Sequence, residues 1–203
     1  MYPDAAAPAA SLGAILLAAG SSSRLGQPKQ LVSIEGEPLV VRQAKMLAAL
    51  GFARVVVVTG AEHSQIAKLL ADVRVQCVRN PDWEEGMGRS LACGVNAMPE
   101  RARAALVLLC DQWKVMSDDV DLLISAWVEN PQAGVVSTFD VSSGPPAILP
   151  RAMFQRLSRL KGDMGARNIL KHWKGEIIPV QISNAGADLD LPEDLEKMGP
   201  GSS

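Results

Sequence analysis

Residues 14–29 constrain this chain more than any other stretch. Ala14 to Ala18 is an apolar run long enough for a buried strand and too short for a helix. It breaks at Gly20 into Ser21, Ser22 and Ser23, then Gly26 and Pro28, so the strand empties into a polar loop. The loop carries two cations, Arg24 and Lys29, and no acid. Glycine and serine leave backbone N–H groups free to form an anion-holding concavity. Arg24 supplies a planar fork and Lys29 a point charge, both suited to phosphate oxygens. On the residues alone, an ordinary strand-to-helix turn with two surface cations explains the stretch about as well. Two other phosphate loops are excluded by counting. A P-loop needs four residues between its glycines and then Lys-Ser or Lys-Thr; here five separate Gly20 from Gly26, and Gln30 follows Lys29. The dinucleotide fingerprint Gly-x-Gly-x-x-Gly is also missing after this strand.

A chain of 203 residues is expected to form one domain, over 13–198, with a disordered lead-in at 1–12 and a disordered tail at 199–203. The formal net charge of -2 offers no bulk attraction to nucleic acid or to an anionic membrane. Phosphate binding would therefore rest on local placement of cations. No apolar run approaches the roughly 20 residues of a spanning helix, and the N-terminal residues lack the basic region of a secretory signal. Cys77, Cys93 and Cys110 show no metal spacing and are odd in number; two fall in apolar runs, where a small buried thiol is expected, and a reducing cytoplasm fits.

Downstream, Pro38 to Leu50 repeats apolar positions at helical spacing, with Pro38 suited to a first turn and Gly51 to a C-terminal cap. Val55 to Val58 is a β-branched run of the kind covered on both faces. A short helix over Glu62–Ala71 and a strand over Val73–Val78 follow. This βαβαβ rhythm predicts an α/β domain of three layers with a mostly parallel, twisted sheet. Asn80 to Leu91 interrupts it, running through Gly86 and Gly88 and entering a helix near Arg89. Ala104 to Leu109 is another buried strand, and it ends in Cys110-Asp111-Gln112. A carboxylate at the carboxyl end of a central parallel strand lies where open α/β sheets bind ligands, although such an aspartate can equally cap the following turn. The remaining expectations are a helix over Ser117–Glu129, a strand over Gly134–Phe139 and turn chemistry at Ser142–Pro146. After these come a strand over Ala147–Leu149, a helix over Arg151–Leu160 and a last strand over Ile177–Gln181.

Leu17-Ala-Ala-Gly-Ser-Ser-Ser-Arg-Leu-Gly-Gln-Pro-Lys29, continued by Gln30-Leu31 and Gly36-Glu-Pro-Leu39, resembles a family signature. The family is the nucleotidyltransferases of glycosyltransferase-A-like fold, and the nearest branch is the MobA-like one, which includes the molybdenum cofactor cytidylyltransferases. The match runs through roughly Ala14 to Met198. The resemblance implies transfer of a nucleoside monophosphate from an NTP to a phosphorylated small-molecule acceptor, with release of pyrophosphate. It assigns phosphate binding to Arg24 and Lys29, and nucleotide contacts to Leu17, Ala18, Ala19, Gly20, Asn80, Gly86 and Ser90. It assigns one Mg²⁺ to Asp111 and Asp190, and acceptor-side roles to Trp113 and Arg167. The Ala18-Ala19-Gly20 form resembles the cytidine-using members, so CTP is the first expectation and GTP the second. Molybdopterin is the implied acceptor and a molybdoenzyme the implied downstream partner.

Three departures fall within the matched motifs. Trp113 stands where the family commonly has proline after Asp-Gln, Gly144-Pro145-Pro146 replaces Gly-His-Pro, and Leu191 replaces threonine before Pro192. Two of them lie on the acceptor side. They leave open a non-catalytic nucleotide- or pterin-binding accessory protein, or transfer to a sugar or another small phosphate. Arg167 reads equally as an exposed helix arginine, and Glu193 and Asp194 as first-turn acids placed for the helix dipole.

Overall fold

The computed structural model describes residues 9–22, 25–162, 165–189 and 192–196. The chain runs β1 (Leu12–Ala18), β2 (Ser33–Ile34), β3 (Glu37–Pro38), α1 (Leu39–Ala49), β4 (Arg54–Thr59), α2 (His63–Leu69) and β5 (Gln76–Arg79). It continues with α3 (Met87–Asn96), β6 (Ala104–Leu109), α4 (Ser117–Glu129), β7 (Gly134–Phe139), β8 (Ser142–Pro150) and α5 (Phe154–Leu157). Last come α6 (Ala166–Lys171), β9 (Ile177–Gln181) and α7 (Pro192–Glu196). Seven strands form one sheet in the order β5-β4-β1-β6-β8-β7-β9, while β2 and β3 make a separate small antiparallel pair. Within the large sheet β8 alone runs antiparallel to its neighbours, β6 and β7.

Alternation along the strands explains the continuous apolar runs. Ala14, Leu16 and Ala18 of β1, with Val55 and Val57 of β4, pack beneath α1, α2 and α4. Ile15 and Leu17, with Val56 and Val58, face Leu91 and Val95 of α3 and Leu157 of α5. A strand buried on both faces has no reason to alternate with polar residues. Three layers with a mostly parallel sheet are thus observed as expected. Among the described residues no helix is long and apolar enough to cross a membrane.

Three local expectations need correction. Pairing of β5 with β4 begins only at Gln76, because the backbone at Val73 and Val75 turns back on Leu70 and Val73 instead. Pro145 and Pro146 do not end a turn; they lie inside β8. The register against β7 slips between Val136 and Ser137, so both prolines fall in a bulge, and pairing with β6 starts at Ala147. Proline lacks the N–H that a ladder requires and is tolerated in sheets at such bulges. The bulge carbonyls are satisfied by side chains: Ser137 Oγ donates to Pro146 O at 2.6 Å and Gln112 Nε2 to Pro145 O at 2.7 Å. The turn sits earlier, at Asp140, whose φ is 48°. The helix expected over Arg151–Leu160 is a 3₁₀ turn at Arg151–Met153 followed by the single turn of α5. At the N-terminus β1 begins at Leu12 with Ala9 buried beside it, while residues 1–8 of the expected lead-in lie outside the described residues, as does the tail at 199–203.

Candidate active site

The chain passes from β1 outwards to β4 and β5, then crosses back to β6 on the other side of β1. Crossovers leaving in opposite directions open a crevice at the carboxyl ends of such strands. A cleft of about 280 Å³ lies there, lined among others by Leu17, Ala18, Ala19, Gly20, Lys29, Gln30, Trp83, Gly86, Ser90 and Asp111. A larger hollow of about 370 Å³ sits at the amino ends of β4 and β5, around Phe52, Arg54 and Arg74. It has no carboxylate in its lining, and it lies on the edge where open sheets do not place their ligands.

The loop after β1 is held from below. Buried Gln30 donates through Nε2 to Ala18 O at 3.2 Å and to Gly20 O at 2.7 Å. Ser22, at φ 57°, accepts the Lys29 N–H on its Oγ at 3.0 Å. With the Ala18 and Gly20 carbonyls tied to Gln30, the start of the loop is anchored beside the cleft. Gly60 lets the neighbouring strand end approach: a Cβ there would lie 2.3 Å from Ala19 O and 2.6 Å from Trp83 Cγ. Trp83 thereby stands as the aromatic wall of the cleft.

Lys29 Nζ donates to Asp111 Oδ2. Both side chains are largely buried, at 19% and 15% exposure. The other oxygen, Asp111 Oδ1, is buried and has no hydrogen-bond partner among the described residues. A buried carboxylate oxygen without a partner is costly unless a cation completes it, and hard oxygen donors are what Mg²⁺ or Mn²⁺ take. The donor set therefore fits a divalent ion. No group of three His, Cys, Asp or Glu residues gathers among the described residues, so the remaining ligands would come from substrate, water and residues outside them. Burial, with the Asp111 charge adding to it, pushes the adjacent Cys110 thiol far above its usual range, which keeps it a neutral wall of the cleft.

Across the cleft Gly86, whose φ of 115° suits glycine, precedes α3, and Gly86, Met87 and Ser90 line the cavity. No acid occupies that first turn, so its dipole favours an anion, although Gly88 N–H already donates to Gly162 O at 2.9 Å and Arg89 N–H to Gly86 O at 3.2 Å. Asn80 is buried and absent from the lining. Its Nδ2 donates to Ser90 Oγ at 3.0 Å and its Oδ1 accepts the Asp82 N–H at 3.1 Å, so it ties the loop before α3 to Ser90 on that helix. Arg89 completes the brace through Asp82 at 2.6 Å.

The structure thus brings Leu17, Ala18, Ala19, Gly20, Lys29, Gly86, Ser90 and Asp111 together around one cleft. Arg24 and Asp190 lie outside the described residues. Trp113 is half-buried, packs on the core beneath α1 and α4 and carries Lys114 Nζ 5.0 Å above its ring; it is not part of the cleft lining. Arg167 is exposed on α6 and reaches Ser143 O at 3.4 Å, on the rim formed by the start of β8. Sequence reasoning missed Gln30, Gln112 and Trp83. Two glutamines beside proposed site residues and one tryptophan before a glycine were the available signals, but nothing local says that a glutamine is buried.

Residues 14–177 match the MobA-like NTP transferase domain. Purine catabolism protein PucB of Bacillus subtilis (strain 168) is 28% identical over 193 residues, covering 90% of this chain and 93% of that protein. The crystal structure of Rv0371c from Mycobacterium tuberculosis H37Rv superposes with a TM-score of 0.78 at 24% identity, over 93% of this chain and 96% of that one. Another structure of Rv0371c, in complex with manganese, gives a TM-score of 0.74 at 22% identity, over 93% and 97% of the two chains. A domain match across most of the chain and a cleft built from its signature loop lead to one conclusion: this chain belongs to the MobA-like NTP transferase family, enzymes that transfer nucleotides from an NTP to a phosphorylated acceptor.

Proposed function

We propose that the chain transfers CMP from CTP to the phosphate of a pterin-type acceptor such as molybdopterin, releasing pyrophosphate, with Mg²⁺ as the metal. The observation that carries this reading is the pairing of Lys29 with a half-satisfied Asp111 at the cleft where the signature loop ends. The acceptor's phosphate oxygen attacks the α-phosphorus while the bond to the leaving pyrophosphate breaks. That nucleophile needs no general base, since a phosphomonoester's second pKa is about 6 and it is largely ionised at neutral pH. The absence of histidine from the cleft lining is consistent with that.

Catalysis is then positioning and charge stabilisation. Lys29 and Arg24 hold the phosphates, and the dipole of α3, with no acid in its first turn, favours the same anion. Trp83 and the Ala18-Ala19 floor frame the base. The Ala19 methyl occupies space that a glycine would leave open, which favours a single-ring pyrimidine. Mg²⁺, when bound, would neutralise charge on the transferring phosphate, held by Asp111 and Asp190. Leu189, the residue before Asp190, donates its N–H to Asp111 O at 3.0 Å, which supports that pairing. Trp113 and Arg167 are proposed for the acceptor side, and delivery to a molybdoenzyme is the proposed outcome. The purine-catabolism role printed for the Bacillus relative is a compatible setting.

The test is pyrophosphate release with CTP, GTP, ATP and UTP, each offered molybdopterin, sugar phosphates and simple phosphomonoesters. CTP with molybdopterin should dominate. Release with sugar phosphates alone would remove the pterin assignment, and silence across the whole panel would leave a binding protein.

A further inference from the structure

We infer that Gln112 is a positioning residue that sets Asp111 in register with the segment leading to Asp190, and so governs metal affinity; the inference rests on the metal reading above. Gln112 is 2% exposed and uses its side-chain amide fully. Nε2 donates to Pro145 O in the β8 bulge at 2.7 Å and to Ala185 O at 2.9 Å. Oε1 accepts the Leu109 N–H at 3.3 Å, and the backbone carbonyl accepts Gln43 Nε2 at 3.1 Å. One side chain therefore joins the end of β6, the β8 bulge and the turn at Ser183–Gly186. Immediately beside it, Gln112 forms a β-bridge with Asp188, and Leu189 donates to Asp111 O at 3.0 Å.

The chemistry restricts this position to a primary amide of this length. Glutamate would turn a carboxylate towards two carbonyl oxygens, and leucine would strip both buried carbonyls of their donor. Asparagine keeps the amide but falls one methylene short. The nucleotide side does not depend on these bonds, because Gln30 and Ser22 hold the Lys29 loop separately. Gln112 should therefore act on the metal and leave nucleotide affinity nearly untouched. Partners that orient metal ligands typically change metal affinity or activity by about 10–100-fold when mutated.

The experiment compares wild type, Gln112→Glu, Gln112→Leu, Gln112→Asn and Ser137→Ala. Ser137→Ala is the matched control, since it removes the other side-chain bond to the same bulge without touching residues 183–189. Mn²⁺ affinity is measured by titration calorimetry in the absence of turnover, alongside Tm, kcat and the KM for NTP. In the Gln112 variants the Mn²⁺ Kd should rise at least about tenfold and kcat at limiting metal should fall in parallel. Their NTP KM should stay within about twofold, saturating Mn²⁺ should recover much of kcat, and Ser137→Ala should lower Tm while keeping the wild-type Mn²⁺ Kd. Unchanged Mn²⁺ affinity in folded Gln112 variants overturns the inference. An equal loss in Ser137→Ala, or failure of all three Gln112 variants to fold, also overturns it by making the residue a general support of the bulge. If wild type itself binds no Mn²⁺, the metal reading falls first, and this inference with it.

Discussion

Lys29→Ala separates two roles that one side chain carries. In the free protein Lys29 is the counter-ion of Asp111, and the pair is largely buried, with 19% and 15% exposure. Opposite charges 4 Å apart at an effective dielectric of about 20 attract by about 4 kcal/mol, and desolvation offsets most of that. Deleting one partner of a fully buried pair costs about 3–5 kcal/mol, because the other charge is left uncompensated. Asp111 retains some contact with water, so we place the cost below that range, at about 2–3 kcal/mol, or a Tm lower by about 4–12 °C for a chain of this size. Lys29→Ala/Asp111→Asn should regain part of this, since the stranded charge is gone. Turnover should suffer separately: one preorganised charge-stabilising group is worth about 3 kcal/mol, which is about 10²-fold or more in kcat. Mn²⁺ alone should bind the single variant more tightly than wild type, because its competitor for Asp111 has been removed. Urea unfolding, calorimetry with Mn²⁺ and steady-state pyrophosphate release measure the three effects. Wild-type turnover in Lys29→Ala would refute the catalytic role. A single variant no less stable than wild type, with no recovery in the double, would refute the counter-ion reasoning.

Gly60→Ala would place a methyl 2.3 Å from Ala19 O, and backbone cannot yield as a flexible side chain can. It should destabilise by about 1–3 kcal/mol and raise the NTP KM by displacing the cleft wall; an unaffected KM would mean Trp83 and the loop are not held by this approach. Burial raises the Cys110 thiol far above its ordinary value of 9.0, so above about pH 9 the unfolded chain releases a proton that the folded one keeps. That part of stability is present in full below pH 9 and declines as pH rises, by up to about 1.4 kcal/mol per unit. Cys110→Ala should flatten the alkaline slope, and Cys110 should react with iodoacetamide only on unfolding; rapid labelling of the native protein would contradict it. Trp113→Leu, which keeps the backbone N–H that donates to Asp111 O at 2.9 Å, should leave CTP binding within about twofold, because the ring packs on the core away from the cleft lining. A large loss of CTP affinity would show that the ring reaches the nucleotide.

Much of the fold was legible because its causes are local. Ala104–Leu109, Gly134–Phe139 and Ile177–Gln181 are strands over the spans that their apolar runs predict, and Ser117–Glu129 is a helix over its predicted span. Leu17 to Gly20, Lys29 and Asp111, which the family resemblance assigns to one site, line a single cleft. Periodicity could not reveal that Pro145 and Pro146 lie in a strand, because the bulge that admits them is a relation between β8 and β7. Nor could it reveal Gln30 and Gln112. A glutamine in sequence reads as a solvated side chain, and burying it is favourable only where carbonyls converge on it. The carbonyls that converge on Gln112 come from Pro145 and Ala185, which only the folded sheet brings to its side. Residue type and order, with the family resemblance, name the groups proposed for the chemistry. Which buried amides hold them in place emerges only on folding, because a hydrogen bond between distant residues leaves no periodic trace in either partner's neighbourhood.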